Sequence, residues 1–386
     1  MSERILIGDQ WYVAAKAARA EESPQVIKDG DTFALFDRFG DVHATSSEHG
    51  IYHEDTRFVS QLELTVNDVQ PMFLGATVKE GNNLLIVEMM NPDLMEDDGR
   101  MLLPKGELHL FRAKLLWDGA CYEHIRLSHH GRAPARIELA LRFDSDFADL
   151  FEVRGAVRAQ RGNLLPPQRH PDELDLGYEG LDGRRRHSRV QMDPAPRGWN
   201  GNEARYVVEL APHGEFHLYC TVRCEIDGEP PRERLDYDGA YQRNAQARAR
   251  QHGERCRTTT SNPLMDLWLD RSISDLAMLT TQLPAGPYPY AGVPWYSTTF
   301  GRDGIITALE YLWVNPALAR GVLTFLAANQ AKDVDPQNDA EPGKILHEAR
   351  KCEMARTGEV PFGRYYGTVD ATPLFVSLAG AYHRRT

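Results

Sequence analysis

An arginine–aspartate pair follows a run of aromatic residues in the last quarter of the chain. The residues concerned are Trp295, Tyr296, Phe300, Arg302 and Asp303. Aromatic rings can stack on a sugar ring, while an adjacent guanidinium and carboxylate can hydrogen-bond to neighbouring hydroxyl groups. Asp303 could equally stabilise the start of a helix, because the first turn favours negative charge. The residues alone favour neither sugar binding nor helix capping over the other.

Residues 333–370 hold a second polar segment. Its side chains suit a polyol substrate, and a solvated loop is the alternative. A calcium loop is excluded because Asn338 replaces the turn glycine and Lys344 stands where a bidentate glutamate is needed. The zinc-protease motif is excluded because His347-Glu348 lacks a second histidine four residues on. The polar residues of the segment are Asp333, Asp335, Asp339, Glu341, Lys344, His347, Glu348, Arg350, Glu353, Glu359, Arg364, Tyr365, Tyr366 and Asp370.

A third charged segment, His53-Glu54-Asp55-Thr56-Arg57, precedes a predicted strand. We interpret it as an ion-pair network at a strand entry or a domain interface. The sequence has no phosphate-binding glycine loop, no Gly-x-Ser-x-Gly elbow and no nicotinamide fingerprint. We therefore expect neither a metal ion nor a cofactor.

Two hydrophobic periods divide the chain. Residues 30–228 alternate apolar and polar side chains, which predicts antiparallel strands, with a hairpin at Asp118-Gly119. Residues 155–203 are interpreted as a long excursion whose arginines form a solvated loop face. Helical periodicity follows. Helices are predicted near Arg232, at Asn262-Pro263, around Arg302, at Asn315-Pro316 and after Asp370.

The composition limits the class of protein. The 386 residues carry a formal net charge of −12, which argues against nucleic acid and anionic membranes as partners. Five widely spaced cysteines fit neither a disulfide framework nor a zinc ribbon. No apolar run is long enough to span a bilayer, and the start does not resemble a secretory signal. We expect a cytoplasmic protein.

Five segments resemble the bacterial glycogen-debranching, amylo-α-1,6-glucosidase-like proteins: Gly50–Ser60, Phe143–Gly155, Pro294–Gly304, Gly343–Glu348 and Pro361–Leu374. The resemblance implies a multidomain β + α fold, in which an antiparallel β-sandwich precedes a partial (α/α)6 toroid. On this basis residues 1–230 form the sandwich domain and residues 231–260 a helical linker. Residues 261–386 then form an incomplete (α/α)6 glycosidase-like domain with about four of the twelve helices.

The resemblance also implies a site. Arg302 and Asp303 should bind the hydroxyls of the sugar in the −1 subsite, in a cavity shared with Tyr366. The other residues expected to contact substrate are Trp295, Glu348, Arg350, Glu353, Tyr365 and Asp370.

The family form would hydrolyse α-glucosidic linkages, the α-1,6 branch of glycogen-like glucans among them. In the family the general acid and base lie further along than Thr386, so this chain is expected to lack them. Whether it is an enzyme therefore stays open, and a non-catalytic glucan-binding or interaction module is the alternative. The expected partner is an α-glucan, and the apolar flanks of four helices predict an oligomer or a complementing C-terminal polypeptide.

Overall fold

Alternating apolar side chains in the described part of residues 24–226 form antiparallel strands. The computed structural model describes residues 4–7, 10–13, 24–44, 48–79, 82–95, 99–253, 256 and 258–386. One short helix, α1 (Leu150–Val153), interrupts the strands. The strands are β1 (Arg4–Ile7), β2 (Gln10–Val13), β3 (Gln25–Asp29), β4 (Thr32–Phe36), β5 (Gly50–His53), β6 (Thr56–Val59), β7 (Gln61–Val66), β8 (Met72–Val78), β9 (Leu85–Met90), β10 (Leu94–Met95), β11 (Met101–Leu103), β12 (Leu108–Trp117), β13 (Ala120–His129), β14 (Ala135–Asp144), β15 (Asn163–Arg169), β16 (Glu173–Glu179), β17 (Arg185–Asp193), β18 (Gly198–Asn200), β19 (Glu203–Leu210) and β20 (Glu215–Ile226).

Three sheets share one core in this half. The largest has the order β15-β16-β17-β20-β13-β12-β9-β8, and two four-stranded sheets have the orders β18-β19-β14-β7 and β3-β4-β5-β6. Val87, Ile125 and Leu218 of the large sheet pack in the same buried cluster as Leu139 and Phe36 of the smaller sheets. Opposed sheets that bury their inner faces in this way are the arrangement that alternating patterns favour. The sheet-rich first half predicted from the sequence is therefore present.

The predicted hairpin at Asp118-Gly119 is confirmed. Trp117 pairs with Ala120 across a two-residue turn. Both turn residues have positive φ, +47° at Asp118 and +78° at Gly119. This is the backbone geometry for which an Asp-Gly pair is favoured. The turn therefore fixes the register of β12 and β13, two neighbouring inner strands of the large sheet.

The interpretation of residues 155–203 as an excursion is wrong. These residues form β15, β16 and β17, which extend the large sheet beyond β20, and the short strand β18. Arg186 is only 2% exposed, and its guanidinium pairs with Asp182 at 2.7 Å. A buried arginine needs such a partner, and the partner makes an arginine-rich segment compatible with a strand.

The second half is mainly helical. Asn262 and Asn315 cap their helices by accepting hydrogen bonds from Leu264 N and Ala317 N, as the Asn-Pro pairs predict. Its elements are α2 (Tyr237–Gly253), α3 (Pro263–Leu279), β21 (Thr280–Leu283), β22 (Gly286–Pro289), β23 (Thr299–Phe300), α4 (Gly301–Glu310), α5 (Pro316–Ala328), β24 (Glu348–Ala349), α6 (Glu353–Arg356), a 3₁₀ turn (Pro361–Gly363) and α7 (Ala371–Arg385).

Helices α4, α5 and α7 contact one another around a second core, which includes Ile305, Val322 and Leu378. Within the described residues, no helix combines the length and the apolarity needed to cross a lipid bilayer. The helical core includes Ile305 of α4 and so holds the start of this helix in place.

All five cysteines lie among the described residues, and none forms a disulfide. Cys121, Cys220, Cys224 and Cys352 are buried, whereas Cys256 is exposed. Burial raises the pKa of Cys121 to about 12, which keeps that thiol protonated and unreactive at neutral pH.

Helix α3 turns an apolar face outward. None of its residues is buried. Leu264, Leu267 and Trp268 are 75%, 62% and 60% exposed, and their spacing places them on one side of the helix. Contiguous exposed apolar surface of this kind marks interaction surfaces or aggregation-prone sites.

We expect the exposed face of α3 to cause self-association of the isolated chain. Sedimentation velocity should show a sedimentation coefficient that rises with protein concentration. The double variant Leu267→Glu/Trp268→Glu should suppress the rise, because charge opposes burial of that face. Asp270→Ala, on an exposed position of the same helix, is the control and should behave as the parent does. A concentration-independent monomer would contradict the expectation.

Candidate functional site

The start of α4 is held by three neighbouring segments. Phe300 pairs with Glu348 between β23 and β24. Gly301 N donates to His347 O at 2.8 Å, and Tyr288 Oη donates to Phe300 O at 2.8 Å. The first bond satisfies an N–H group that a helix start leaves unpaired, and the second holds the carbonyl of the residue before α4. The two residues that follow Gly301 therefore have fixed backbone positions.

Two glycines make this close packing possible. A Cβ atom on Gly301 would lie 1.8 Å from Leu346 O, and one on Gly304 would lie 2.7 Å from Tyr288 Oη. Neither distance is compatible with a side chain. The Gly-Arg-Asp-Gly sequence thus sets how closely α4 approaches the segment before β24.

Arg302, Asp303 and Asp370 form a charged cluster, which we call the α4 cluster. Arg302 Nε lies 3.7 Å from Asp303 Oδ2, and Arg302 Nη1 lies 3.6 Å from Asp370 Oδ2. The side chain of Arg302 is 46% exposed, and those of both aspartates are 37% exposed. A hydrogen bond from Thr368 and the charge of Arg302 hold the pKa of Asp370 below its usual range. Asp370 is therefore an ionised acceptor. The structure brings together three residues that the sequence placed in one site.

A row of rings includes Phe300, the residue that immediately precedes α4. Tyr296, Phe300, His347, Tyr365 and Phe362 follow one another in edge-to-face contacts, with centroids 5.8, 5.9, 6.0 and 5.5 Å apart. Tyr296 is 46% exposed. The edge-to-face geometry is a favoured aromatic arrangement. His347 and Phe362 were not among the predicted site residues, although His347 stands in the same short segment as Glu348.

Two predicted sugar-binding aromatics have other positions. Tyr366 is buried and donates its hydroxyl to Asn329 O at 2.9 Å, so it belongs to the helical core. Trp295 packs against a buried cluster of the first half that includes Phe33 and Tyr52. The prediction that Arg302 and Tyr366 share a cavity is therefore wrong, since the Tyr366 hydroxyl bonds to Asn329 O within the helical core.

Glu348 and Arg350 form a buried network with Asp55 of the β5–β6 turn. Arg350 Nε bonds to Glu348 Oε1, Nη1 lies 3.1 Å from Asp55 Oδ1, and Nη2 donates to Trp295 O at 2.7 Å. Arg350 is 5% exposed. Burial raises the pKa of Asp55 to about 7, although Arg350 acts in the opposite direction. Glu348 and Arg350 thus face other protein groups, which differs from the predicted substrate contacts.

The third charged segment of the sequence is confirmed as an interface network. Asp55 pairs with Arg350 as described, and Glu54 Oε1 lies 2.8 Å from Lys351 Nζ. Asp31 adds a second contact to Lys351 at 2.9 Å and accepts a hydrogen bond from Tyr290 Oη at 2.6 Å. The two halves of the chain are joined here by charge-assisted bonds.

Glu353 also lies between the two halves of the chain. It is 2% exposed and accepts hydrogen bonds from Arg158 Nη2 at 3.0 Å, Leu181 N at 2.9 Å and Tyr178 Oη at 3.3 Å. All of these donors come from the first half. The prediction that Glu353 contacts substrate is wrong, because donors of the protein itself already bond to this carboxylate. The Arg158 side chain, 1% exposed, likewise does not belong to a solvated face.

One group of possible metal ligands occurs in the described part of the chain: Asp37, Asp41 and His43. Arg112 Nη1 lies 2.5 Å from Asp41 Oδ1, which already neutralises that carboxylate. A hydrogen bond to Asp37, together with Glu63, raises the pKa of His43 to about 9. A protonated imidazole does not bind a metal ion. We interpret the group as an internal ion-pair network.

We expect Gly301→Ala to destabilise the helical half strongly. The added methyl group would overlap Leu346 O, and relief requires backbone movement that costs roughly 1–3 kcal/mol or more. Urea denaturation followed by circular dichroism measures the loss. Gly198→Ala is the matched control, because a Cβ there meets nothing within 4 Å. Equal stability of the two variants would show that α4 does not approach Leu346 so closely.

The His43 network predicts a pH dependence. The folded-state pKa of about 9 lies above the usual value of about 6.5. The stabilisation is therefore complete below about pH 6.5 and is lost as the pH rises through 9. The urea midpoint should fall less between pH 6.5 and 9.5 in His43→Asn than in the parent. His213→Asn, which removes an exposed histidine elsewhere, is the control. Parallel pH profiles for parent and His43→Asn would refute the network.

A putatively assigned kojibiose phosphorylase from the human microbiome has a similar fold, with 11% identity and a TM-score of 0.64, covering 94% of this chain and 54% of that one. A bacterial glucoamylase complexed with acarbose has 12% identity and a TM-score of 0.50, covering 95% and 56%. The chain thus spans little more than half the length of these structures.

A search of the curated proteins finds no match. Residues 27–221 match the model of the N-terminal domain of (some) glycogen debranching enzymes. This match covers half of the chain and includes most strands of the first half. The chain therefore belongs to the family of the N-terminal domain of (some) glycogen debranching enzymes.

Proposed function

We propose that the protein is a carbohydrate-active protein of the glycogen-debranching type, which binds a glucose unit of an α-glucan at the α4 cluster. The observation that carries the proposal is the fixed start of α4, where Arg302 lies within 3.7 Å of two partly exposed carboxylates. The family match and the glucoamylase and kojibiose phosphorylase folds support a glucan as the ligand.

The chemistry of the cluster suits sugar hydroxyls. Carboxylates accept hydrogen bonds from hydroxyl groups, and a guanidinium donates to their oxygens, with charge strengthening each bond. Asp303 and Asp370 on either side of Arg302 can therefore bind adjacent hydroxyls. The exposed Tyr296 ring, beside Phe300 at the start of α4, offers an apolar surface to the sugar.

The helices of the second half are consistent with the first part of a larger helical domain. We propose that α3, α4, α5 and α7 correspond to the first four helices of an (α/α)6 toroid. The sandwich domain, residues 1–230, would precede it through the linker at residues 231–260, with the toroid segment at 261–386. In a longer form, this protein would hydrolyse α-glucosidic linkages, including α-1,6 branches. A second copy or a complementing C-terminal polypeptide would cover the exposed face of α3.

A non-catalytic glucan-binding module is the second candidate for this chain. Hydrolysis with inversion uses one carboxyl as proton donor and a second carboxylate as base. Glu348 and Glu353 are buried in ion pairs, and the lowered pKa of Asp370 makes it a poor proton donor. These placements favour binding over proton transfer. Neither candidate involves nucleic acid or a membrane, and the mostly buried thiols suit a cytoplasmic location.

Asp303→Asn should weaken the binding of panose, a trisaccharide with one α-1,6 and one α-1,4 linkage, by about tenfold or more. The loss reflects one charge-assisted hydrogen bond. Isothermal titration calorimetry measures the affinity, and a glucose-release assay measures turnover. Asp68→Asn, which changes a turn side chain 72% exposed in the first half, is the matched control and should bind as the parent does.

The outcomes separate the candidates. Glucose release that disappears in Asp303→Asn supports the hydrolase. Saturable binding without turnover supports the module. Absence of panose binding by the parent chain would overturn both.

A further inference from the structure

The turn between β5 and β6 has an unusual backbone for its sequence. His53 pairs with Thr56, so Glu54 and Asp55 are the two central residues. Both have positive φ, +46° and +60°. Turns of this type favour Asn-Gly or Asp-Gly, because residues with a larger side chain are strained in the left-handed region. Strain of this kind persists where surrounding contacts hold it, and it occurs often at functional sites.

The contacts that hold the turn come from the second half. Asp55 Oδ1 lies 3.1 Å from Arg350 Nη1, and Glu54 Oε1 lies 2.8 Å from Lys351 Nζ. The positive φ angles thus direct two consecutive carboxylates at two consecutive cations. Asp55 is 4% exposed, and its carbonyl also accepts a hydrogen bond from Leu150 N at 2.8 Å. The backbone and the side chain of Asp55 are both fixed.

Arg350 extends this contact towards the α4 cluster. Its remaining guanidinium nitrogens bond to the Glu348 carboxylate and to Trp295 O, which lies six residues before Gly301. Glu348 in turn pairs through its backbone with Phe300 and with Tyr365. Phe300 immediately precedes α4, and Tyr365 begins the segment that leads to Asp370. The segments that carry the cluster residues therefore meet at Glu348.

We propose that the Glu54-Asp55 turn positions the α4 cluster for sugar binding, through Arg350 and Glu348. The inference rests on the proposed function, because it assumes that the cluster binds a glucan. Asp55 itself does not touch the sugar and is a positioning residue. Glucan binding at the helical half thus depends on a strained turn of the sheet-rich half.

Loss of the Asp55 charge leaves Arg350 Nη1 with a neutral amide oxygen, which is a weaker acceptor than a carboxylate. A buried charge that has lost its counter-charge is costly, so the guanidinium would move to improve its remaining contacts. Any such movement changes its bonds to Glu348 and Trp295 O. The expected effect is displacement of the cluster in a protein that is still folded.

The test compares Asp55→Asn with Asp31→Asn. Asp31 is a second carboxylate of the same interface, but its partners Lys351 and Tyr290 do not bond to Glu348. Panose affinity is measured by calorimetry at 15 °C, and folding is checked by circular dichroism and melting temperature. We expect Asp55→Asn to weaken binding about tenfold, whereas Asp31→Asn lowers the melting temperature and changes the affinity less than about twofold.

Arg350→Lys is the second variant, for use also if Asp55→Asn does not fold. A lysine keeps the charge opposite Asp55 but cannot bond to three groups in the geometry of a guanidinium. We expect a similar loss of affinity. Affinities within about twofold of the parent for both variants would overturn the proposal. An equal loss in Asp31→Asn would overturn it too, since docking of the halves in general would then explain the effect.

Hydrogen exchange gives a readout that needs no sugar. Amide exchange in residues 299–304 and 347–349 should be faster in Asp55→Asn than in Asp31→Asn at matched distance from the melting temperature. If the parent binds no panose, the proposed function fails while this difference still supports positioning. If panose binds but the exchange rates and affinities of the two variants coincide, positioning fails and the proposed function stands.

Discussion

A single buried guanidinium connects the sheet-rich half to the segments that carry the α4 cluster. Burying a charge is costly unless it is paired and hydrogen-bonded. Arg350 meets this requirement only through three separate segments: the β5–β6 turn, the strand β24 and the segment before α4. The ring centroids of Phe151 and Phe300 lie 5.1 and 5.8 Å from the guanidinium carbon of Arg350. Because no one segment can satisfy Arg350, the sheets and the helices must be docked for the site to have its geometry.

Local signals in the sequence predicted local structure well. The Asp118-Gly119 turn and the two Asn-Pro helix starts each depend on a few adjacent residues, and each forms as predicted. Residues 155–203 were misassigned for a related reason. Arginine and proline mask the alternation there, and Arg186 enters a strand only because Asp182 neutralises it. The sequence shows that both residues exist, but it does not show that they pair.

In the candidate site, too, local features were predicted from the sequence and long-range pairs were not. Arg302, Asp303 and Asp370 stand at helix starts, and the packing of α4 against α7 brings them together. Arg350 and Glu353 find their partners 295 and 195 residues away, in Asp55 and Arg158. No spacing rule reveals contacts over such separations. The polar segment 333–370 therefore contributes both surface groups and interface groups, and only three-dimensional packing separates them.

The distribution of thiols has a practical consequence. Four of the five cysteines are enclosed, while Cys256 is open to solvent and its amide donates to Val314 O at 3.1 Å. Val314 follows the exposed Trp313 in the turn between α4 and α5, and α3 begins seven residues after Cys256. A maleimide-linked fluorophore or nitroxide would thus attach selectively at one native position. The label would lie between α2 and α3, near the turn that follows α4, without any engineered residue.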